Sequence, residues 1–225
     1  MPQILPSQTE TLLQNVTKIA TSRRALRAVL LAQRYAMSAR LLRDAERTLA
    51  SRVLAWLTQH LPQGGVVTVY VATQGEADIL TALLKNKCAA HYQFAVPVVV
   101  NKVSKILQFA AYGKNETMTM GAYGIAVPAV PRWLQPDVVF APCVGFCEIK
   151  NMHDSDKSQT NKLPTNEEQT IIYRLGYGGG FYDATLADLR TKAQSVKFVG
   201  VGFSCASCVF APHAADIALD DLICV

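Results

Sequence analysis

The chain reads as an α/β protein: a mostly parallel sheet with helices on both faces, preceded by an N-terminal helix pair. Three observations predict it. Short β-branched apolar runs alternate with segments of helical spacing. A strand, a helix and a second strand follow one another between residues 66 and 100 as a β-α-β unit. Four glycines within Gly176–Gly180 lead directly into an amphipathic segment.

Each element has its own signal. Residues 22–60 carry apolar side chains at three- to four-residue spacing (Leu26, Val29, Leu30, then Leu41, Ala45, Leu49, Val53, Leu57), and Ser38 is placed to cap a second helix. Pro62 to Gly65 ends that unit, and Val66 to Ala72 reads as a buried strand. Gln74 and Gly75 make a turn, after which Glu76 to Lys87 reads as a helix with Ile79, Leu80, Leu83 and Leu84 on one face. Phe94–Val100 is the next strand, Ile106–Ala111 a hairpin strand, Tyr112–Tyr123 a loop and Asp137–Val144 a further strand. Glu148 to Thr170 has almost nothing apolar and reads as a solvated insertion or loop, with ends that flank the glycine-rich turn. Its His153-Asp154-Ser155-Asp156 lacks the Gly and Glu that a calcium loop requires, since those positions are Gln159 and Thr165. Phe181–Ala193 is a helix and Lys197–Phe203 a strand.

Composition narrows the functional classes. With 225 residues, half of them apolar and 17% charged, the chain is neither disordered, collagenous nor a coiled coil. The organisation expected is a single domain over 1–225 with a polar insertion at about 148–172. No apolar run reaches the ~18 residues of a membrane span, and residues 1–20 lack the pattern of a secretory signal. A mitochondrial presequence would be Arg-rich, yet the basic pattern begins late and runs into core-like periodicity, so a cytoplasmic protein with reduced thiols is expected. Cys143/Cys147 and Cys205/Cys208 have spacings that zinc could use, but they lie in apolar runs and read as buried, inert thiols.

Charge is concentrated. The net charge is +5, and nine of the 22 Lys and Arg lie between Lys18 and Arg52. Most of those arginines form a solvated helix face. With only Tyr35 and Trp56 beside them, base-stacking platforms are lacking, so neither a nucleic acid nor a membrane is an expected partner.

The strongest local signal is Arg174-Leu175-Gly176-Tyr177-Gly178-Gly179-Gly180-Phe181-Tyr182-Asp183. Glycines let successive backbone N–H groups converge on a phosphate, the following helix presents its positive end, and Arg174 adds a planar fork of donors. The spacing fits neither the dinucleotide fingerprint nor the P-loop. Arg23 and Arg27, four apart, share one helix face and can reach one polyphosphate.

Arg23-Arg24-Ala25-Leu26-Arg27, Gln74-Gly75-Glu76-Ala77-Asp78, Asp137 to Phe146, and Arg174 to Asp183 stand in an order that resembles the 5-formyltetrahydrofolate cyclo-ligase (methenyltetrahydrofolate synthetase) family; Pro212 to Asp221 resembles its ending. The resemblance implies a three-layer α/β/α fold. It also implies an enzyme that uses ATP and Mg2+ to cyclise 5-formyltetrahydrofolate, free or polyglutamylated, to 5,10-methenyltetrahydrofolate, releasing ADP and phosphate, and acting as a monomer. The formyl oxygen would attack the γ-phosphate, N10 would then add, and phosphate would leave. Carried onto this chain, Arg23, Arg27, Arg174, Leu175, Gly176, Tyr177, Gly178, Gly179, Gly180, Phe181 and Tyr182 would hold ATP, with Arg174 and Tyr182 catalytic. Val71 and Glu76 would hold the folate, and Asp183 and Asp216 the metal. The chain departs from the family at Cys147, Val127, Ala184 and the Ala214-Ala215 pair. The alternative they raise is a divergent nucleotide-binding homologue of the same fold without this activity.

Overall fold

The computed structural model describes residues 22–151, 169–192 and 195–225. Helices α1 (Arg23–Tyr35) and α2 (Ala39–His60) open it, and each starts where a serine satisfies an orphan N–H. Ser22 accepts from Ala25 N at 3.2 Å, and Ser38 accepts from Leu41 N at 3.3 Å. Strands β1 (Gly65–Val69) and β2 (Tyr92–Val99) are joined by helix α3 (Ile79–Lys85). Then follow β3 (Leu107–Ala111), β4 (Met118–Met120), β5 (Ala126–Pro128), β6 (Trp133–Leu134), β7 (Val138–Pro142), β8 (Gly145–Asn151), β9 (Gln169–Leu175), helix α4 (Phe181–Thr191), β10 (Lys197–Gly202) and β11 (Asp221–Cys224).

The main sheet has the order β11-β10-β7-β1-β2-β3-β6. β11, β10, β7, β1 and β2 are parallel, and β3 and β6 are added antiparallel at one edge. Alternation along the strands divides the core in two. Val67, Val69, Phe94, Val96, Val138, Phe140, Val199 and Val201 face α2 and α3, whereas Ala95, Val139 and Phe198 face Leu186 and Leu189 of α4. The three-layer α/β/α arrangement follows. Leu49, Val53 and Leu57 of α2 are fully buried, each worth about 1.5–3 kcal/mol in apolar area removed from water. Among the described residues no helix is long and apolar enough to cross a membrane.

A third apolar cluster positions the site. Leu26 and Leu30 of α1 pack with Phe146 of β8 and Leu175 of β9, which holds the first helix against an antiparallel hairpin at one end of the sheet. The expected loop from Glu148 to Thr170 is corrected here at both ends. Glu148, Ile149, Lys150 and Asn151 pair with Ile172, Ile171, Thr170 and Gln169, because the flanking register from Gly145↔Leu175 continues outward with β-branched partners. The described ends of the insertion therefore run away from the glycine loop rather than beside it. The motif at His153–Asp156 lies outside the described residues.

Other boundaries shift for local reasons. The helix expected from Glu76 starts at Ile79, with Asp78 as its cap accepting from Thr81 N at 3.0 Å. Tyr112–Tyr123, expected as loop, contains β4, which pairs with β5. β11 is a further strand that the sequence reading does not include; it is only four residues long.

Candidate active site

Three elements converge at the carboxyl ends of the parallel strands. The order β7-β1-β2 makes the gap between β1 and β7 a switch point, because the chain leaves β1 toward β2 and returns later to β7 on the other side. A cavity of about 680 Å3 opens there, walled by Tyr70 and Val71 after β1, Pro97 and Val99 of β2, Pro142 of β7, the glycine loop and α1.

The glycine loop joins β9 to α4. Gly180 caps α4 with φ 75°, a left-handed backbone that favours glycine. Gly176 has another reason: a Cβ there would collide with the guanidinium of Arg174. Arg174 is buried, opposite Phe146 in the hairpin register. Its Nη2 donates to Asp183 Oδ2 at 2.8 Å, and its guanidinium lies 4.9 Å from the centre of the Tyr182 ring.

Helix α1 supplies the other cations. Arg27 Nε donates to Gly176 O at 2.6 Å, tying the helix to the loop. Arg23 forms an ion pair with Asp216 at 2.7 Å, and its buried Nε has no acceptor among the described residues. Burial and the neighbouring charge of Arg23 hold Arg27 below the usual arginine range. Two neighbouring guanidiniums lining the cavity, one of them with an unsatisfied buried donor, fit an anion.

Glu76 sits on the opposite wall. Gln74 and Gly75 both take left-handed φ, 49° and 74°, so the chain reverses within one turn and Glu76 N donates back to Thr73 O at 2.9 Å. The carboxylate is turned into the cavity rather than along a helix, and is 7% exposed. Oε2 accepts from Thr73 N at 2.8 Å, and Oε1 accepts from the Tyr177 hydroxyl at 2.7 Å. Burial pushes its pKa up, opposed by those two hydrogen bonds and by Arg34. Burial and then the Glu76 charge push Tyr182 and Tyr177 above the ordinary phenol range, so both are hydrogen-bond donors rather than bases at neutral pH.

All the residues named from the sequence except Leu175 line this one cavity. Leu175 is instead fully buried among Leu26, Leu30 and Phe146, so it positions the loop from beneath. Arg34 was missed. It is buried, with Nη1 donating to the Tyr177 hydroxyl at 2.8 Å and Nη2 to Cys143 O at 2.5 Å. A signal existed: Arg23, Arg27 and Arg34 recur at spacings of 4 and 7, which places all three on one helix stripe. Tyr123, expected only as loop, also lines the cavity and meets Phe181 edge-on at 5.7 Å. Of the thiols, Cys143 and Cys147 are buried, with burial pushing Cys143 up to about 11, but Cys205 is exposed, contrary to expectation. It sits in a 3-10 turn after β10, where the chain has left the sheet.

The sequence model of the 5-formyltetrahydrofolate cyclo-ligase family matches residues 19–149. The chain belongs to this family. Membership makes it an enzyme of the ligase class. The fold is similar to two solved structures. One, the 5,10-methenyltetrahydrofolate synthetase of Mycoplasma pneumoniae, is 20% identical with a TM-score of 0.61, over 90% of this chain and 98% of that one. The other, the enzyme of the same name from Aquifex aeolicus, is 22% identical with a TM-score of 0.59, over 90% of this chain and 89% of that one. No curated protein sequence matches significantly.

Proposed function

We propose that this cyclo-ligase converts 5-formyltetrahydrofolate to 5,10-methenyltetrahydrofolate with ATP and Mg2+, releasing ADP and phosphate. The observation that carries the reading is a single cavity in which a cationic glycine loop faces a buried, pre-oriented carboxylate. Both similar solved structures are 5,10-methenyltetrahydrofolate synthetases.

Phosphoryl transfer depends chiefly on positioning and charge neutralisation. Arg23 and Arg27 take the outer phosphates, the N–H groups of Gly176 to Tyr182 line the phosphate path, and Arg174 stabilises the charge that develops on the transferred group. Tyr182, held protonated, donates to the same oxygens. Glu76 accepts hydrogen bonds from the folate ring nitrogens, and Val71 packs beside the ring.

The carboxylates fit a magnesium site. Among the described residues the Asp216 carboxylate is engaged through Oδ2, by Arg23 and His213 N, each at 2.7 Å, and Asp183 Oδ1 accepts a 3.4 Å bond from Ile217 N. Magnesium usually keeps several waters and is held by one or two carboxylates together with phosphate oxygens, so two acids suffice. When bound, Mg2+ would offset charge on those oxygens, with Asp183 and Asp216 as its protein ligands.

The deciding experiment follows methenyltetrahydrofolate absorbance after mixing protein, ATP, Mg2+ and 5-formyltetrahydrofolate. ATP-dependent product is expected. Absence of product with mono- and polyglutamylated substrate alike would overturn the reading.

A further inference from the structure

Tyr177 belongs to the nucleotide loop by its backbone and to the folate wall by its phenol. The hydroxyl donates to Glu76 Oε1 at 2.7 Å and accepts from Arg34 Nη1 at 2.8 Å. Arg34 is itself held on three sides. Its Nη2 donates to Cys143 O just beyond β7, its guanidinium lies 5.7 Å from the Phe203 ring centre, and its stem packs under the turn at Gly75, where a Cβ would stand 3.3 Å from Arg34 Cγ. Glu76 is closed on its far side by Thr73 N and Oγ1, at 2.8 and 3.3 Å. An unbroken relay thus runs from β7 through Arg34 and Tyr177 to Glu76 and the turn after β1.

The relay joins an enclosed pair of side chains to a glycine-rich loop. Arg34 and Glu76 are nearly enclosed. The loop that carries Tyr177 has left-handed backbone at Gly178 and Gly180, where the chain has wide conformational freedom. The phenol is consequently a tether that ties the glycine loop to that enclosed wall. Ligand donors placed on Glu76 restrain its carboxylate, and through the phenol they restrain the loop amides; phosphate on the loop restrains the phenol in return. Ordering brought about by one ligand need not be repeated for the other, which is the physical basis of positive coupling.

We infer that the Arg34–Tyr177–Glu76 relay couples the two halves of the site, so that nucleotide and folate each tighten the binding of the other, with Arg34 and Tyr177 as positioning residues. The inference rests on the cyclo-ligase reading above, in which Glu76 faces the folate and the loop faces ATP.

Titration calorimetry tests it with a non-hydrolysable ATP analogue and Mg2+, in the presence and absence of saturating 5-formyltetrahydrofolate, and then in the reverse order. Wild-type protein should show affinity raised about tenfold by the second ligand, by the same factor in both directions, as linkage requires. Tyr177→Phe keeps the ring and the loop backbone but deletes the hydroxyl, and the factor should fall to about one, whatever happens to each ligand's own affinity. Arg34→Lys is the second variant: it keeps the cation but removes the planar fork whose two amines donate separately to Cys143 O and the Tyr177 hydroxyl, and should lower the factor too, with thermal unfolding reporting that both variants are folded. Two ligands that bind the wild type independently would overturn the coupling and leave the functional reading intact. A Tyr177→Phe protein with the wild-type factor would do the same. Failure of either ligand to bind the wild type at all would overturn the functional reading and the coupling together.

Discussion

At the scale of single residues, Arg174 and Glu76 define the two sides of the site. Arg174 is buried and committed to Asp183 by one amine, so its substitution removes a cavity donor and strands a carboxylate. Charge-assisted hydrogen bonds are worth about 1.5–3 kcal/mol each, so Arg174→Ala should lower kcat/KM for ATP on the order of a hundredfold or more, together with a lower Tm. A lower Tm with unchanged ATP kinetics would mean that Arg174 only packs. For Glu76 the informative variable is pH. Burial raises its pKa above 4.5 in the folded protein, so the native state holds that proton more tightly than the unfolded chain does. Its contribution to stability is therefore complete below about 4.5 and is lost as pH rises through the folded pKa. The Tm of wild type minus that of Glu76→Gln should accordingly decline between acid and neutral pH; a difference that stays flat contradicts the raised pKa. The same variant should raise the KM for folate far more than that for ATP.

At the scale of elements, the β8–β9 hairpin explains how the chain carries an insertion so few residues before its glycine loop in sequence. Arg174 stands opposite Phe146 near the base of the hairpin, whereas Asn151 and Gln169 close its far described end. Four residues of strand lie between Gln169 and Arg174, which are roughly 17 Å apart at strand rise. Loop-closure entropy changes slowly with length, so joining Asn151 to Gln169 by a short Gly-Ser turn in place of residues 152–168 should leave a folded enzyme. Its ATP affinity, measured by calorimetry, should lie within about tenfold of wild type. Loss of nucleotide binding in a well-folded deletion would instead make the excised residues part of the site. Helix α1 is the complementary element: Leu26 and Leu30 anchor it on the hairpin, so that Arg23 and Arg27 line the cavity while Arg34 of the same stripe reaches the Tyr177 hydroxyl behind it.

At the scale of the whole molecule, the proposed function puts both ligands in one cavity at the switch point, and each should stabilise the fold by mass action. At a hundredfold excess over Kd the gain is about 2.7 kcal/mol, or roughly 5–10 °C in Tm for a chain of this size. Mg-ATP and 5-formyltetrahydrofolate should each produce it. A shift from Mg-ATP without one from the folate would identify a homologue that has diverged from the reaction. Much of the frame was legible beforehand. The alternation of strands and helices, the Ser38 cap, the glycine loop with Arg174, and the Arg23/Arg27 pair are written in local periods of 2 and 3.6 residues and in local backbone freedom, which act over a few positions. The rest required the assembled chain. Arg34 reaches a hydroxyl 143 positions away, Tyr177 meets Glu76 101 positions away, and β7 lies beside β1 with two further strands on its other flank. Polar residues spread along a sequence carry no mark of which will be enclosed together; burial of Arg34 and Glu76 becomes tolerable only because the fold brings each the partner that satisfies the other.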